Sequence, residues 1–211
     1  MNAMRRLSRA SVLRLELYLE VLELLQKEGK PFVTSSEIGD AVGISDVKVR
    51  QDLLHLGAAG RPKIGYDVPK LAALIREAFG LDTEKPVCLI GFGNLGRALA
   101  GSNIWTKAGF SLVAIFDRDP EVVGTEVGEL RVRNIAEIFG VVKSKGIETG
   151  IIAVPAEAAQ AAADLLVTAG VKAIWNFAPV KLLTSETVVV ENQSLAWGLI
   201  TLSHRTKPTS E

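Results

Sequence analysis

Lys85-Pro-Val-Cys-Leu-Ile-Gly-Phe-Gly-Asn-Leu-Gly-Arg-Ala-Leu-Ala100 decides the fold. An apolar run ends at Ile90, Gly91-x-Gly93-x-x-Gly96 follows it, and a helical pattern opens directly behind. The next apolar run, Leu112-Val-Ala-Ile-Phe-Asp117, closes on an acid 26 residues beyond Gly91. Strand, glycine turn, helix, strand and acid in that order specify a dinucleotide site on a Rossmann-like α/β fold.

Each glycine has a physical task in that reading. Gly91 permits a tight turn, Gly93 lets backbone amides approach a pyrophosphate, and Gly96 lets the helix lie close to the strand. Phe92, Asn94 and Leu95 share the loop, whose free amides suit an anion. A carboxylate at Asp117 accepts from an adenosine ribose and repels a 2'-phosphate, which favours NAD(H) over NADP(H); Arg118 beside it is the one residue that softens this preference.

Working forward from there, Thr149-Gly-Ile-Ile-Ala-Val154 reads as a buried parallel strand with Val154 and Pro155 at its carboxyl end. Ala156 to Ala169 reads as an alanine-rich helix. Val171 to Asn176 reads as the next strand, placing Asn176, Phe177, Ala178 and Pro179 where the nicotinamide end of a cofactor would lie. Leu195, Leu199 and Leu202 are spaced for an apolar helical stripe. Pro208 to Glu211 reads as a frayed tail.

Working backward, the nucleotide fold begins only near residue 85, so some eighty residues precede it. Leu15, Tyr18, Leu22 and Leu25 recur at helical spacing between Ser11 and Glu28, with Glu16, Glu20 and Glu23 on a separate polar face. Thr34-Ser-Ser-Glu37 is a capping box for a short helix that Gly43 closes. Ser45 caps a third helix running to about Leu56, with Val49, Leu53 and Leu56 inward and Val47, Lys48, Gln51, Leu54 and His55 outward, Arg50 at the flank. Long helix, short helix, tight turn and third helix make a helix-turn-helix. Gly57-Ala-Ala-Gly-Arg-Pro-Lys-Ile-Gly-Tyr66 then reads as a wing whose Arg61 and Lys63 would grip phosphate, with Gly65 and Tyr66 at its end.

Composition agrees with two unequal domains, set here at 1–80 and 81–211. The 211 residues are 48% hydrophobic and 23% charged, enough for a proper core. Formal net charge is zero, but the first eighty residues hold 12 basic against 10 acidic residues, and Arg5, Arg6, Arg9 and Arg14 precede any acid. The single cysteine, Cys88, sits inside the first Rossmann strand as a small apolar residue and excludes an intrachain disulfide, in keeping with a reducing cytoplasm. Acids interrupt the apolar run behind the N-terminal arginines, so neither a signal peptide nor a membrane span is expected.

As a set, Thr34-Ser-Ser-Glu37, Val49-Arg50-Gln51-Asp52-Leu53, Ile64-Gly65-Tyr66, Gly91 to Gly96, Phe116-Asp-Arg-Asp-Pro120, Val154-Pro155, Asn176-Phe-Ala-Pro179 and Val190-Glu-Asn192 resemble the Rex family of redox-sensing transcriptional repressors. The resemblance runs from about residue 10 to residue 205. It implies a homodimer in which the winged helix binds a pseudo-palindromic double-stranded operator, with Ser45, Val47, Lys48, Arg50, Gln51, Arg61, Lys63, Gly65 and Tyr66 toward DNA. It further implies a Rossmann-like domain that reads the NADH to NAD+ ratio, release of DNA by NADH, and a last helix, about 193–204, swapped across the dimer. Ser102, Ser194 and Glu20 stand where some members carry a tyrosine, an aspartate and an arginine that form a switch, so that switch does not transfer. Gln51 replaces a common lysine on the recognition helix, which bears on the operator read.

An enzyme fits the sequence less well. A dehydrogenase needs a proton donor or acceptor within reach of its substrate. His55 lies on the recognition helix, His204 near the C-terminus, Tyr18 on an apolar stripe and Tyr66 in the wing. No cluster has metal-ligand spacing, and no segment is left over for a substrate domain. The competing readings are a small NAD-dependent oxidoreductase and a CoA-binding module on the same half-Rossmann architecture.

Overall fold

The computed structural model describes residues 7–102 and 104–206 and divides the chain into two compact units, Met1–Asp82 and Thr83–Glu211. In the first unit, Ser8 caps helix α1 (Arg9–Lys27), which buries Leu15, Tyr18, Leu19 and Leu22. Strand β1 (Phe32–Val33) leads to α2 (Ser35–Val42), where Thr34 and Glu37 form the expected capping box and Gly43 ends the helix in the left-handed conformation. Ser45 caps α3 (Asp46–His55) through its hydroxyl. Strand β2 (Tyr66–Asp67) pairs antiparallel with β1, Val33 opposite Tyr66.

Sequence reading leaves the stretch after the wing unassigned, and the structure supplies a helix there, α4 (Val68–Phe79). Its signals are local: Asp67 caps it, a proline occupies its first turn, and Gly80 ends it. Val68, Leu71, Ala72 and Ile75 are buried against Leu15, Tyr18, Leu22, Val49 and Leu53 in one core. Without α4 the apolar stripe of α1 would lack a partner, so this helix completes the helix-turn-helix as a folded unit.

The second unit begins with β3 (Lys85–Ile90), α5 (Asn94–Ala100), α6 (Ile104–Lys107) and β4 (Phe110–Asp117). A hairpin of β5 (Glu126–Val127) and β6 (Leu130–Asn134) follows, then α7 (Ile138–Lys145), β7 (Thr149–Ile152), α8 (Ala156–Thr168), β8 (Ala173–Asn176), β9 (Val189–Asn192) and α9 (Leu195–Arg205). Among the described residues the strands form one sheet in the order β5-β6-β4-β3-β7-β8-β9, parallel except for the β5–β6 hairpin. The strand order reverses between β3 and β7, which leaves a crevice at their carboxyl ends.

One face of this sheet is covered by α7 and α8 through Ile138, Val142, Ala159, Ala163 and Leu166. The other packs Leu99 and Trp105 from α5 and α6 against Val87, Leu89, Ile115 and Ile151. Cys88 is completely buried in β3 and its thiol is pushed up to about 12 by that burial, as expected for an inert core residue. No helix among the described residues is long and apolar enough to cross a membrane.

Candidate nucleotide and nucleic-acid sites

The fold brings the four segments singled out in the sequence to one edge of the sheet. Gly91–Gly96 follows β3, Asp117 ends β4, Val154 and Pro155 follow β7, and Asn176 to Pro179 continue from β8. Adjacent strand ends are stitched together there: the Ala153 N–H donates to the Ile90 carbonyl at 2.8 Å and the Phe177 N–H to the Ile152 carbonyl at 2.9 Å.

Gly91 adopts φ +99°, and a Cβ on it would lie 2.5 Å from the Ala153 carbonyl oxygen and 2.7 Å from Cγ1 of Val154. A Cβ on Gly96 would meet the Gly91 carbonyl oxygen at 2.0 Å, so turn and helix are pressed into contact. Gly93 is the opposite case: it is exposed, and a Cβ there would meet nothing within 4 Å. That open space beside backbone amides is what a pyrophosphate requires, so the residues present fit a dinucleotide.

Asp117 is doubly engaged. Its Oδ2 accepts from the Phe92 N–H at 2.6 Å and its Oδ1 from the Asp119 N–H at 2.9 Å. The acid therefore holds the glycine loop in place while each oxygen keeps lone-pair capacity for a ribose hydroxyl. Phe92 is buried, with the Arg97 guanidinium 4.5 Å from its ring centroid. Arg118 and Asn94 are exposed and Leu95 half-buried.

At the far side of the crevice, Trp175 and Phe177 point to the same sheet face, where Trp175 meets Trp105 edge-to-face at a centroid distance of 6.1 Å and Phe177 at a tilt at 4.5 Å. Asn176 points the other way and is fully buried. Its amide is spent on Val180, Asn192 and Ala178 within the protein. The sequence reading puts Asn176 at the cofactor; the structure leaves its side chain no free donor for a ligand.

In the first unit, α3 presents exposed Ser45, Val47, Arg50, Gln51, Leu54 and His55. Lys48 lies 3.5 Å from Asp52, and Arg50 pairs with Asp46 at 2.6 Å and with the Ser35 hydroxyl at 3.2 Å. Arg61 and Gly65 close a small hairpin by reciprocal backbone hydrogen bonds of 2.7 and 2.9 Å, placing exposed Lys63 at the tip with φ +64°. Arg61 lies over the Phe32 ring. Gly65 is at the root of this wing, where a Cβ would strike the Val33 carbonyl at 2.3 Å, and Tyr66 is half-buried in β2 with its hydroxyl pKa raised by that burial.

Sequence reasoning overlooked a buried network beneath α3. Asp52, 2% exposed, accepts from Arg14 and from the Tyr18 hydroxyl at 3.1 Å. Burial pushes the Tyr18 phenol up to about 12, keeping it a donor. Arg14, one of the four arginines that precede any acid, is thereby directed inward; Arg9 is exposed, and Arg5 and Arg6 lie outside the described residues, as does the tail at 208–211. Asp52 is an acid on a helix whose outer face is cationic, the one local hint of such a partner. Among the described residues no group of three or more His, Cys, Asp or Glu is arranged to hold a metal ion.

Known proteins resemble the chain at both levels. A domain model described as "CoA binding domain" matches residues 82–180, and one described as "Putative DNA-binding protein N-terminus" matches residues 6–53. The redox-sensing transcriptional repressor Rex of Clostridium botulinum is 36% identical over 205 residues, 97% of this chain and 98% of its own. The Rex of Chloroflexus aurantiacus is 40% identical over 177 residues, 84% of each chain. Among solved structures, the repressor RSP in complex with β-NAD+ and operator DNA superposes with a TM-score of 0.90 at 36% identity, covering 94% of this chain and 92% of that one. RSP in complex with β-NADH superposes with a TM-score of 0.84 at 35% identity, covering 95% and 94%.

Proposed function

Because the chain belongs to the Rex family of redox-sensing transcriptional repressors, we propose that it binds operator DNA through its winged helix and NAD(H) through its Rossmann-like unit. NADH binding releases the operator. The observation that carries this reading is the presence, in one chain, of an intact dinucleotide cradle at Gly91–Gly96 and Asp117 and of a helix-turn-helix with an exposed recognition face. The module match to a CoA-binding domain covers the second unit alone, whereas the repressor relatives match across both.

Gly91 to Gly96 hold the pyrophosphate on backbone amides, and Asp117 takes the adenosine ribose, selecting NAD(H) over NADP(H). Val154, Pro155, Phe177, Ala178 and Pro179 form the nicotinamide end. When bound, the cofactor supplies a nicotinamide ring that is cationic when oxidised and neutral when reduced. This end of the site offers no side-chain counter-charge to the oxidised ring, which favours NADH. On the DNA side, Lys63 and Arg61 meet phosphate, while Val47, Lys48, Arg50 and Gln51 face base edges or the flanking backbone. The protein acts as a repressor and not as an enzyme, in the cytoplasm, where its operator lies.

The repressor is a homodimer, as two half-sites of a pseudo-palindrome require. Two apolar surfaces support this: α9 exposes Leu199, Ile200 and Leu202, and a groove on the second unit is lined by Val87, Trp105, Phe110, Ile151, Trp175 and Val189. A swapped α9 would cover apolar surface of this kind.

The test is operator binding as the NADH to NAD+ ratio is varied. Binding that falls as NADH rises supports the reading. Operator affinity indifferent to both nucleotides, tight CoA binding that NADH does not displace, or turnover of NADH with small carbonyl compounds would each overturn it.

A further inference from the structure

The loop beyond β8 is held from within by side-chain amides. Oδ1 of Asn176 accepts from the Ala178 N–H at 3.0 Å, so its Nδ2 must face the remaining partners. That nitrogen lies 2.8 Å from the Val180 carbonyl, 2.9 Å from Oδ1 of Asn192 and 3.3 Å from the Ala178 carbonyl. It has two N–H groups for three acceptors, and the two shorter contacts take them. Farther along the same loop, Gln160 on α8 donates to the Leu183 carbonyl at 2.8 Å and accepts from the Leu183 N–H at 2.9 Å.

Asn192 is a special partner. It faces Asn176 across the last rung of the β8–β9 pairing, and the next residue, Gln193, donates its N–H to the Asn176 carbonyl at 2.8 Å. Helix α9 begins two residues later, and its N-cap, Ser194, makes no side-chain capping bond. The root of α9 is therefore joined to the loop by both the backbone and the side chain of Asn176. Asn176 is fully buried, so separating the two amides would exchange a 2.9 Å bond for the longer, 3.3 Å contact with the Ala178 carbonyl, away from water. When the loop shifts, the end of β9 must shift with it.

We propose that Asn176 and Asn192 are a pair of positioning residues that transmit the state of the 176–180 loop to helix α9, and so couple nucleotide binding to operator release. The proposal rests on the function given above, in which this loop borders the nicotinamide. Neither side chain needs to touch ligand or DNA. Their amide contact supplies a connection in a chain that has Ser102, Ser194 and Glu20 at the positions named in the sequence.

The experiment measures NADH affinity of the full-length protein with and without saturating operator, and takes the ratio as the coupling factor. Asn192→Ala removes the acceptor, and Asn192→Ser, too short to reach, is a second version should alanine misfold. Asn192→Asp keeps an acceptor oxygen. Wild type should show a factor of about fivefold or more. Asn192→Ala or Asn192→Ser should bind NADH alone with unchanged affinity while the factor falls toward one, and Asn192→Asp should restore it. An undiminished factor in the alanine and serine variants overturns the inference, as does a loss of melting temperature and NADH affinity with the factor intact. A wild-type factor of one would instead overturn the redox-sensing function itself, a result distinct from either.

Discussion

Arg14 on the first helix grips both carboxylate oxygens of Asp52 on the recognition helix, Nε to Oδ2 at 2.5 Å and Nη2 to Oδ1 at 2.8 Å. The two residues are 38 positions apart, and the Tyr18 hydroxyl donates to the same carboxylate. The pair fixes the rotation of α3 about its axis, and with it the direction in which Val47, Lys48 and Gln51 face. Asp52→Ala would strand a guanidinium that is only 19% exposed together with a buried phenol. The N-terminal unit should lose about 3 kcal/mol, read from urea unfolding, since breaking one side of a buried pair leaves the other uncompensated. Operator affinity should fall with it while NADH affinity holds.

Acid should attack the same unit. Burial raises the Asp52 pKa, but the hydrogen bonds and charge of Arg14, the Tyr18 hydroxyl and the charge of Lys48 outweigh it, leaving the group below its ordinary 3.8. A carboxylate depressed by folding contributes stability that is present above its unfolded value and lost as pH falls through the folded one. Glu37, held down to about 2 by its Lys30 bond and the capping contacts with Thr34, acts in the same direction, though its exposure makes the effect smaller. Stability of the first unit should therefore fall below about pH 4. Asp52→Asn should flatten that acid limb; an unchanged pH profile of the urea midpoint would refute the assignment.

The glycines of the nucleotide loop should separate by experiment. Gly96→Ala drives a methyl into the Gly91 carbonyl, 2.0 Å from the Cβ position, and should cost about 1 to 3 kcal/mol of stability as well as nucleotide binding. Gly93→Ala meets nothing within 4 Å and should melt like wild type. It should nevertheless lose NADH affinity, because the methyl occupies the approach to the backbone amides. Thermal melts paired with NADH calorimetry give both readouts.

Asp117→Ala removes the two oxygens that accept from the Phe92 and Asp119 amides, and with them the acceptor proposed for the ribose. NADH binding should weaken by about 1 to 3 kcal/mol, the cost of polar groups left unpaired in a partly buried site. Preference against NADPH should shrink as well. Unaltered NADH affinity, or a wild-type preference for NADPH, would contradict the role.

Leu199 and Leu202 are 72% and 59% exposed, so charges placed there should cost the isolated chain little. In a swapped dimer the same charges enter an apolar contact. Leu199→Glu with Leu202→Glu should lower the dimer fraction seen by light scattering, weaken operator binding, and leave the secondary structure intact. A variant that stays dimeric would show that α9 is not the contact. The side chain of Leu195, third in the stripe, lies outside the described residues.

Local grammar made most of the architecture legible. Caps at Thr34, Ser45 and Glu37, the glycine spacing 91, 93 and 96, and the acid at Asp117 each answer a backbone requirement that arises within a few residues, so the sequence alone determined two domains of these kinds and the loops of the nucleotide site. Even α4 had its proline and caps in plain view; its need became evident only against the open stripe of α1.

Tertiary structure decided which polar groups meet. Arg14 reads as one more of the N-terminal arginines until α1 and α3 are packed together, and Asp52 as one letter of the Val49 to Leu53 motif. Asn176 stands among loop residues that invite a ligand, yet the pleat turns its amide into the protein, and only the placement of β9 beside β8 brings Asn192 within reach. Such pairs carry no local signature, because a hydrogen bond across 16 or 38 residues depends on which strands and helices become neighbours. The burial that makes those pairs costly to break exists only once the fold has closed over them.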